Sequence, residues 1–276
     1  MSLLAGHDLV ASYFTLTGAH LSRPPRHDLA ARATAAAAAG FTGLALAPAE
    51  LPADGDPSAV VAAVASAGLA VPELEPLRGW DSGDHGQEAA VFALADAFGS
   101  RQVTTIRLVG DEVPDDLLAE RFAGLAARAA EHGLTVGLEP RAHSPMATPD
   151  EAAALIVASG AANAGIVLDA YHVHRAGVGL DDLARVTDRI ASIQLNDMLA
   201  VPREDPAQDA LEYRLVPGAG VIDLTGWLAG LDGLGVRAPL AVEALSRELN
   251  DLPVHEAAHR AAEGARSALA AARRPV

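Results

Sequence analysis

Eight short apolar runs alternate with alanine-rich stretches along almost the whole sequence, and this alternation limits the possible folds more than any other feature. The apolar runs have the length and residue types of buried strands, and the stretches between them have the apolar spacing of helices. We predict strands at 9–16, 43–47, 70–77, 104–110, 135–140, 164–170, 190–197 and 239–245. We predict helices near 28–39, 57–67, 86–99, 115–132, 149–159, 180–186, 223–234 and 255–272. Eight strand–helix units over roughly 250 residues are typical of an α/β protein with the (β/α)8 TIM-barrel fold.

The chain has 276 residues, and we predict a single TIM-barrel domain over residues 1–276. No segment has the composition of a linker between domains. A doubly wound open sheet is the alternative, but no Gly-x-Gly-x-x-Gly motif follows the first strand to support it. The longest irregular stretch, 197–222, is rich in proline, glycine, aspartate and arginine. Loops of that length in compact domains are usually functional or disordered.

Composition excludes several classes of function. The chain has 20 Lys+Arg and 36 Asp+Glu, a formal net charge of −16, so we expect neither nucleic acid nor a membrane as a partner. Cysteine is absent, which excludes disulfides and thiolate metal sites. All 20 basic residues are arginine, and Schiff-base chemistry is excluded without a lysine amine. The chain has no apolar run of membrane-span length and no signal-peptide pattern at its start, so we expect a cytoplasmic protein.

Polar residues lie at the ends of four consecutive predicted strands. They are Glu139, Asp169, Gln194 and Glu243, on the fifth to the eighth strand. In a TIM barrel the carboxyl ends of the strands meet at one mouth, where active-site groups project. Three carboxylates and one amide carbonyl form a hard-oxygen site that suits Mn²⁺, Mg²⁺ or Co²⁺. The alternative, four unrelated polar strand ends facing solvent, is weakened because all four are in register. The sequence therefore predicts one divalent metal ion bound by these four residues.

Five further residues are candidates for contact with a substrate. His172 follows Asp169 by three residues and is a hydrogen-bond partner of the metal ligands or a substrate contact. Glu75 and Trp80 belong to the segment "ELEPLRGW" at the end of the third predicted strand, where Trp80 either forms an apolar wall for a sugar or packs in the core. Arg107 lies inside the fourth predicted strand and needs a carboxylate partner or an anionic substrate. The fifth candidate, in the loop 197–222, follows from a resemblance to a known family.

The segments at these strand ends have the order and spacing of a known family. They read "GLEP", "VLDAYH", "IQLND" and "VEAL". The set resembles the xylose isomerase-like TIM-barrel superfamily of sugar and sugar phosphate isomerases and epimerases, most strongly between residues 135 and 250. The resemblance implies one divalent metal ion on the four strand-end residues, Mn²⁺ first, with Mg²⁺, Co²⁺ or Zn²⁺ as alternatives. It also implies that Glu139 and Glu243 are acid/base groups on opposite faces of the substrate.

Three further sequence features resemble, or differ from, particular branches of the superfamily. "YRLVPGAG" resembles the Arg-x-x-Pro-Gly loop of the family, which gives Arg214 a role on a substrate oxygen near the metal. Many family isomerases have histidine where this chain has Gln194, and glutamine there resembles the 3-dehydroshikimate dehydratase branch, as does Arg107. Those dehydratases can carry a histidine close after the first glutamate, whereas here the order is Glu139-Pro-Arg-Ala-His143. By analogy with related barrels, a homodimer is expected.

We therefore predict a divalent-metal-dependent isomerase or epimerase of a sugar, sugar phosphate or cyclitol. The reaction would be proton transfer through a metal-stabilised enediolate between Glu139 and Glu243. The first alternative is a dehydratase of a 3-dehydroshikimate- or inosose-like keto-cyclitol on the same metal site, because removal of water begins with the same proton abstraction. The second alternative is a non-catalytic barrel that binds a sugar.

Overall fold

The structure, a computed structural model, describes residues 3–5, 8–21, 23–108, 110 and 112–273. Eight parallel strands form one sheet in the order β2-β1-β8-β7-β6-β5-β4-β3. The strands are β1 (Leu9–Ala11), β2 (Gly43–Leu44), β3 (Glu73–Leu77), β4 (Gln102–Ile106), β5 (Thr135–Glu139), β6 (Ala164–Asp169), β7 (Ile190–Leu195) and β8 (Leu240–Val242). Isolated parallel bridges Gly43–Ala70 and Leu46–Leu74 join the region of β2 to that of β3. The sheet is therefore a nearly closed barrel, and the prediction of a TIM barrel is confirmed.

Helices follow the strands and surround the barrel. They are α1 (Leu29–Ala38), α2 (Ser58–Ser66), α3 (Glu88–Phe98), α4 (Asp115–Glu131), α5 (Pro149–Ser159), α6 (Ala170–Arg175), α7 (Leu180–Leu183), α8 (Pro206–Glu212), α9 (Leu224–Gly233), α10 (Arg247–Asp251) and α11 (Val254–Ala272). Short 3₁₀ helices span Leu3–Ala5, Tyr13–Leu16, Pro48–Glu50 and Thr187–Arg189. Among the helices of the described residues, none is both long enough and apolar enough to cross a bilayer.

The predicted elements differ from the observed ones mainly around the strand ends. The first predicted strand, 9–16, ends at Ala11, because a 3₁₀ helix begins at Tyr13. The fourth strand begins and ends earlier than predicted, so Arg107 follows it rather than lying within it. The helices α6, α8 and α10 were not predicted. Each lies on the carboxyl side of a strand, and α8 is part of the stretch that the sequence marks as irregular.

Close packing under the outer helices fixes the loop after β7. The long helix α11 packs against α1 and α9, and it buries a face made largely of alanine. A Cβ atom on Gly264 of this helix would lie 2.3 Å from the carbonyl oxygen of Pro217. Only glycine permits this approach, because real Cβ atoms do not come so close to a carbonyl oxygen. The loop carrying the predicted Arg-x-x-Pro-Gly motif therefore lies directly on the helix.

A layer of polar side chains fills the barrel below the strand ends. Gln102 Nε2 donates to Glu73 Oε1 at 3.0 Å and to Ser192 Oγ at 2.8 Å. The Thr104 hydroxyl donates to the same oxygen of Glu73. Burial raises the pKa of Glu73, against the effect of the hydrogen bonds from Thr104 and Gln102. Since these groups satisfy one another inside the barrel, the groups available for chemistry lie at the carboxyl ends of the strands.

Candidate metal centre

Three carboxylates meet at the carboxyl ends of three strands. Each of Glu139, Asp169 and Glu243 offers an oxygen, and these oxygens lie within 4.8 Å of one another. Glu139 ends β5, Asp169 ends β6 and Glu243 directly follows β8. All three are buried, with 6%, 0% and 6% of their surface exposed. Carboxylates this close and this buried repel one another strongly, so the arrangement needs positive charge among them.

Gln194 completes the set from the strand between them. Its Cα pairs with that of Asp169 on one side and with that of Ala241 on the other. Its Nε2 donates to Glu75 Oε2 at 3.2 Å, whereas its Oε1 is buried without a hydrogen-bond partner among the described residues. A buried amide oxygen without a donor is costly unless a cation or a ligand meets it. Gln194 Oε1 and the three carboxylates therefore fit a divalent ion that prefers oxygen ligands.

Arg214 supplies the protein's own positive charge at this centre. Its Nη1 donates to Asp169 Oδ2 at 2.8 Å and to Glu243 Oε2 at 2.9 Å. Its Nε donates to the Ala210 carbonyl oxygen at 2.7 Å, and only 3% of the residue is exposed. Burial lowers the pKa of Arg214, but the charges of Asp169, Glu243 and Glu139 outweigh this and raise it. The guanidinium is thus permanently charged and balances part of the negative charge.

Asn196 connects three strands around Asp169 and was not predicted from the sequence. Its Nδ2 donates to Asp169 Oδ2 at 2.6 Å and to the Glu243 carbonyl oxygen at 3.0 Å. Its Oδ1 accepts from the backbone N–H of Tyr171 at 2.7 Å. The sequence contained a signal for it: Asn196 follows Gln194 by two residues, and side chains two apart on an extended chain point to the same side.

The two glutamates of the triad differ in their surroundings. Glu243 accepts hydrogen bonds from Arg214 and, at 3.4 Å, from Ser12 Oγ. The carboxylate of Glu139 accepts no hydrogen bond from the described residues, and His172 Nε2 lies 3.6 Å from its Oε1. Burial, with the charge of Asp169, raises the pKa of Glu139 to about 7. Burial also raises the pKa of Glu243 well above its usual range, although Arg214 opposes this. Glu139 is therefore the freer carboxylate and can gain or lose a proton near neutral pH.

His172 lies beside Glu139, as the sequence predicted for a partner of the ligands. Its backbone N–H donates to Asp169 Oδ1 at 3.0 Å, because Asp169 caps α6. Arg214 Nη2 lies 3.0 Å from its Nε2. Since a guanidinium can only donate, Nε2 accepts and Nδ1 carries the proton. Burial and then the charge of Arg214 lower the pKa of His172 well below its usual range, so the ring is neutral and positions Arg214.

Of the other predicted contacts, only Glu75 reaches the centre. It is buried, and Tyr13 N–H donates to its Oε1 at 2.9 Å. Burial, followed by the charge of Glu73, raises the pKa of Glu75 to about 8. Trp80 does not face the cavity: it is fully buried, donates from Nε1 to the Ile106 carbonyl oxygen at 2.9 Å and packs in the core.

Arg107 holds loops together next to the centre. Its guanidinium donates to the carbonyl oxygens of Pro145 at 3.3 Å and Gly110 at 3.2 Å. It therefore ties the loop after β5 to the loop after β4. We expected a carboxylate or an anionic substrate next to Arg107 because the sequence placed it inside a strand. Arg107 instead follows β4, which ends at Ile106.

Asp197 and Asp209 hold the loop that carries Arg214. Asp197 is fully buried and accepts from the N–H groups of Gly218 at 3.1 Å and Ile222 at 2.9 Å. Asp209 on α8 accepts from the Tyr171 hydroxyl at 2.6 Å and pairs with Arg175 at 3.0 Å. The stretch 197–222 is thus an ordered element that places a guanidinium at the barrel mouth.

Two cavities adjoin the centre. The inner cavity, of about 50 Å³, is lined by Glu75, Glu139, Arg141, Arg214 and Glu243 together with apolar side chains. The outer cavity, of about 610 Å³, lies against the loops after β1, β2 and β3. Phe14, Leu21, Pro76 and Arg78 line both cavities, so the two spaces adjoin at these residues.

Comparison with known proteins identifies the family to which this fold belongs. The family model described as "Xylose isomerase-like TIM barrel" matches residues 33–272. A 3-dehydroshikimate dehydratase from Pseudomonas aeruginosa is 30% identical over 255 residues, which are 85% of this chain and 38% of that protein. The chain thus spans less than half the length of this curated relative.

Solved structures show the same fold at lower sequence identity. The IOLI protein with a bound zinc atom has a TM-score of 0.77 and 18% identity, covering 95% of this chain and 98% of that one. An L-ribulose 3-epimerase has a TM-score of 0.70 and 18% identity, covering 96% and 95%.

Proposed function

The chain belongs to the xylose isomerase-like TIM barrel family, and we propose that it is a divalent-metal-dependent enzyme that removes a proton beside the carbonyl of a small polyhydroxy ketone. The observation that carries this proposal is the buried triad Glu139–Asp169–Glu243. Gln194 lies next to Asp169 in the sheet, and its buried Oε1 has no hydrogen-bond partner among the described residues. Arg214 balances only part of the negative charge of this oxygen set, and the set suits a hard divalent cation.

These four residues would hold the ion, with Mn²⁺ the first choice and Mg²⁺, Co²⁺ or Zn²⁺ as alternatives. When bound, such an ion polarises a ketone oxygen and acidifies the neighbouring C–H group. The protein residues then handle the proton. Glu139 is suited to accept it, because its carboxylate is free of hydrogen bonds and burial brings its pKa to about 7. Arg214 and the neutral His172, joined by a contact of 3.0 Å between Nη2 and Nε2, would orient a substrate oxygen next to it.

Dehydration is the reaction that the site supports best. Elimination of water needs one base for the C–H proton, and the same group can pass that proton to the departing hydroxyl. Among the described residues none donates a hydrogen bond to the Glu139 carboxylate, whereas Glu243 accepts from Arg214 and Ser12. The dehydratase relative at 30% identity supports a keto-cyclitol substrate of the 3-dehydroshikimate or inosose kind.

Isomerisation or epimerisation of a sugar, sugar phosphate or cyclitol is the second candidate. It needs a second acid/base group, and Glu243 lines the same cavity as Glu139. Because burial keeps the pKa of Glu243 high, its carboxyl could return a proton to the substrate. The L-ribulose 3-epimerase shares the fold.

Mass spectrometry in D₂O separates these candidates. The Mn²⁺-loaded protein is incubated with 3-dehydroshikimate, inososes and ketoses. Loss of water supports dehydration, whereas deuterium in a product of unchanged composition supports isomerisation or epimerisation. Glu139→Gln should abolish either reaction with the fold intact, and the exposed Glu131 on α4 provides a control as Glu131→Gln. Full activity of Glu139→Gln, or a wild-type protein that binds metal and turns over no member of the panel, would contradict the proposal and favour a sugar-binding barrel.

A further inference from the structure

Two arginines at the cavity wall lack an acidic partner. Arg78 and Arg141 both line the inner cavity. The guanidinium of Arg78 forms no hydrogen bond or ion pair with any residue that the structure describes. Arg141 reaches only the Arg107 carbonyl oxygen, from Nη2 at 3.4 Å, and its Nε is buried without a partner. Buried or half-buried guanidinium groups are normally paired, because an uncompensated charge away from water is costly.

The two arginines also lie close enough to disfavour each other's charge. Burial and then the charge of Arg141 lower the pKa of Arg78. Arg141 lowers the pKa of Glu139 through its charge, but it forms no ion pair with that carboxylate, and Arg214 and a divalent ion would balance the three charges of the triad. Among the described residues, neither Arg78 nor Arg141 therefore has a carboxylate of its own to pair with.

The cavity sizes indicate where a substrate would extend. The inner cavity of about 50 Å³ has room for only a few water-sized groups, since one water needs at least ~10–15 Å³. A six-carbon substrate with its reacting carbons beside Glu139 must therefore reach toward the outer cavity of about 610 Å³. Arg78 lines both spaces, so the part of the substrate remote from the reacting carbons passes this side chain.

We propose that Arg78 and Arg141 bind an anionic group of the substrate, a carboxylate or a phosphate, at the junction of the two cavities. This inference rests on the proposed function and narrows its substrate class to acids and phosphate esters, excluding neutral sugars. Arginine suits the task because its planar N–H donors match the oxygens of both anions and stay charged at all relevant pH values. The anion would compensate both charges and hold the substrate's reactive end toward Glu139.

Calorimetry of anion binding tests this inference without turnover. The Mg²⁺-supplied full chain is titrated with benzoate and with inorganic phosphate at constant ionic strength in chloride. Each of Arg78→Gln and Arg141→Gln should weaken binding of the preferred anion by about ten-fold or more, because each removes a charge-assisted contact. Arg101→Gln, an exposed arginine at the opposite end of the barrel, should leave binding unchanged. Tighter binding of benzoate indicates a carboxylate, and tighter binding of phosphate indicates a phosphate ester.

The outcomes separate this inference from the proposed function. Glu139→Gln, which tests the function, removes a negative charge near Arg141 and should not weaken binding of the anion. If wild type binds neither anion, or if both arginine variants bind as wild type does, the inference is wrong even where turnover depends on Glu139. Should Arg141→Gln fail to fold, Arg78→Gln decides alone, because the Arg78 guanidinium forms no hydrogen bond or ion pair with a described residue whose loss would destabilise the fold.

Discussion

Replacing Arg214 by methionine should strongly destabilise the metal-free protein. The loss should far exceed that caused by the same replacement of a surface arginine that also pairs with two carboxylates. Arg214→Met removes the charge that Asp169 and Glu243 share at 2.8 and 2.9 Å and leaves both in a buried site. Removing one partner of a buried ion pair costs about 3–5 kcal/mol. For a domain of this size that cost corresponds to a fall in Tm of roughly 6–20 °C.

The size of this loss should depend on pH in a defined direction. Arg214 lowers the pKa of Glu139 and of Glu243, so its removal raises both further above the values of an unfolded chain. The folded variant then binds more protons than the unfolded one around neutral pH. Its stability therefore falls as pH rises through the folded pKa values, and the deficit should be larger at about pH 8 than at about pH 6.

Urea or thermal unfolding in a chelator measures the effect, and Arg260→Met is the matched control. Arg260 also pairs with two carboxylates, Glu248 at 2.9 Å and Glu256 at 2.7 Å, but on the exposed surface. Exposed pairs contribute about 0–1 kcal/mol each. A saturating divalent ion should recover much of the Arg214→Met deficit and none of the Arg260→Met deficit. Equal losses in the two chelated variants would refute the assignment of Arg214 as the charge that stabilises the empty triad.

Three further results are expected. Asn196→Leu should weaken Mn²⁺ binding by about 10- to 100-fold in calorimetry, because it removes the amide that orients Asp169; unchanged affinity would mean that Asp169 is positioned without it. Glu139→Gln should lower kcat by about 10²–10⁴-fold through loss of the base. An unchanged kcat with only a higher KM would contradict that role. Gly220→Ala should cost about 1–3 kcal/mol in urea unfolding, since a Cβ there would lie 2.3 Å from a carbonyl oxygen. A Cβ on Gly233 would have no atom within 4 Å, so the control Gly233→Ala should not destabilise the protein. Equal free energies of unfolding for the two variants would show that the loop around Gly220 can relax.

The barrel and the triad could be predicted from sequence for the same physical reason. Strands buried on both faces appear as continuous apolar runs, and a carboxylate that ends such a run marks the mouth of a parallel barrel. Glu139, Asp169 and Glu243 are each preceded by a run of this kind. The four-residue ligand set remains a prediction that metal binding must test.

Features that depend on approach between distant segments could not be predicted in this way. Trp80 lies shortly after β3, the strand that contains Glu75, but its ring turns into the core and donates to the carbonyl oxygen of Ile106. Arg107 lies outside β4 because the strand ends one residue before it. The periodicity of apolar residues does not fix where a strand ends, so this position could not be predicted. The absence of acidic partners for Arg78 and Arg141 is a property of three-dimensional surroundings, which no local pattern in the sequence expresses.

The position of Arg214 explains how the chain can fold before a metal ion arrives. Burying three carboxylates together is prohibitive without positive charge or protonation. Arg214 supplies the first, and the raised pKa values of Glu139 and Glu243 allow the second. A divalent ion held by Glu139, Asp169 and Glu243 would supply the remaining positive charge. The loop held by Asp197 and α11 therefore contributes to the stability of the metal-free state and to the metal centre through one side chain.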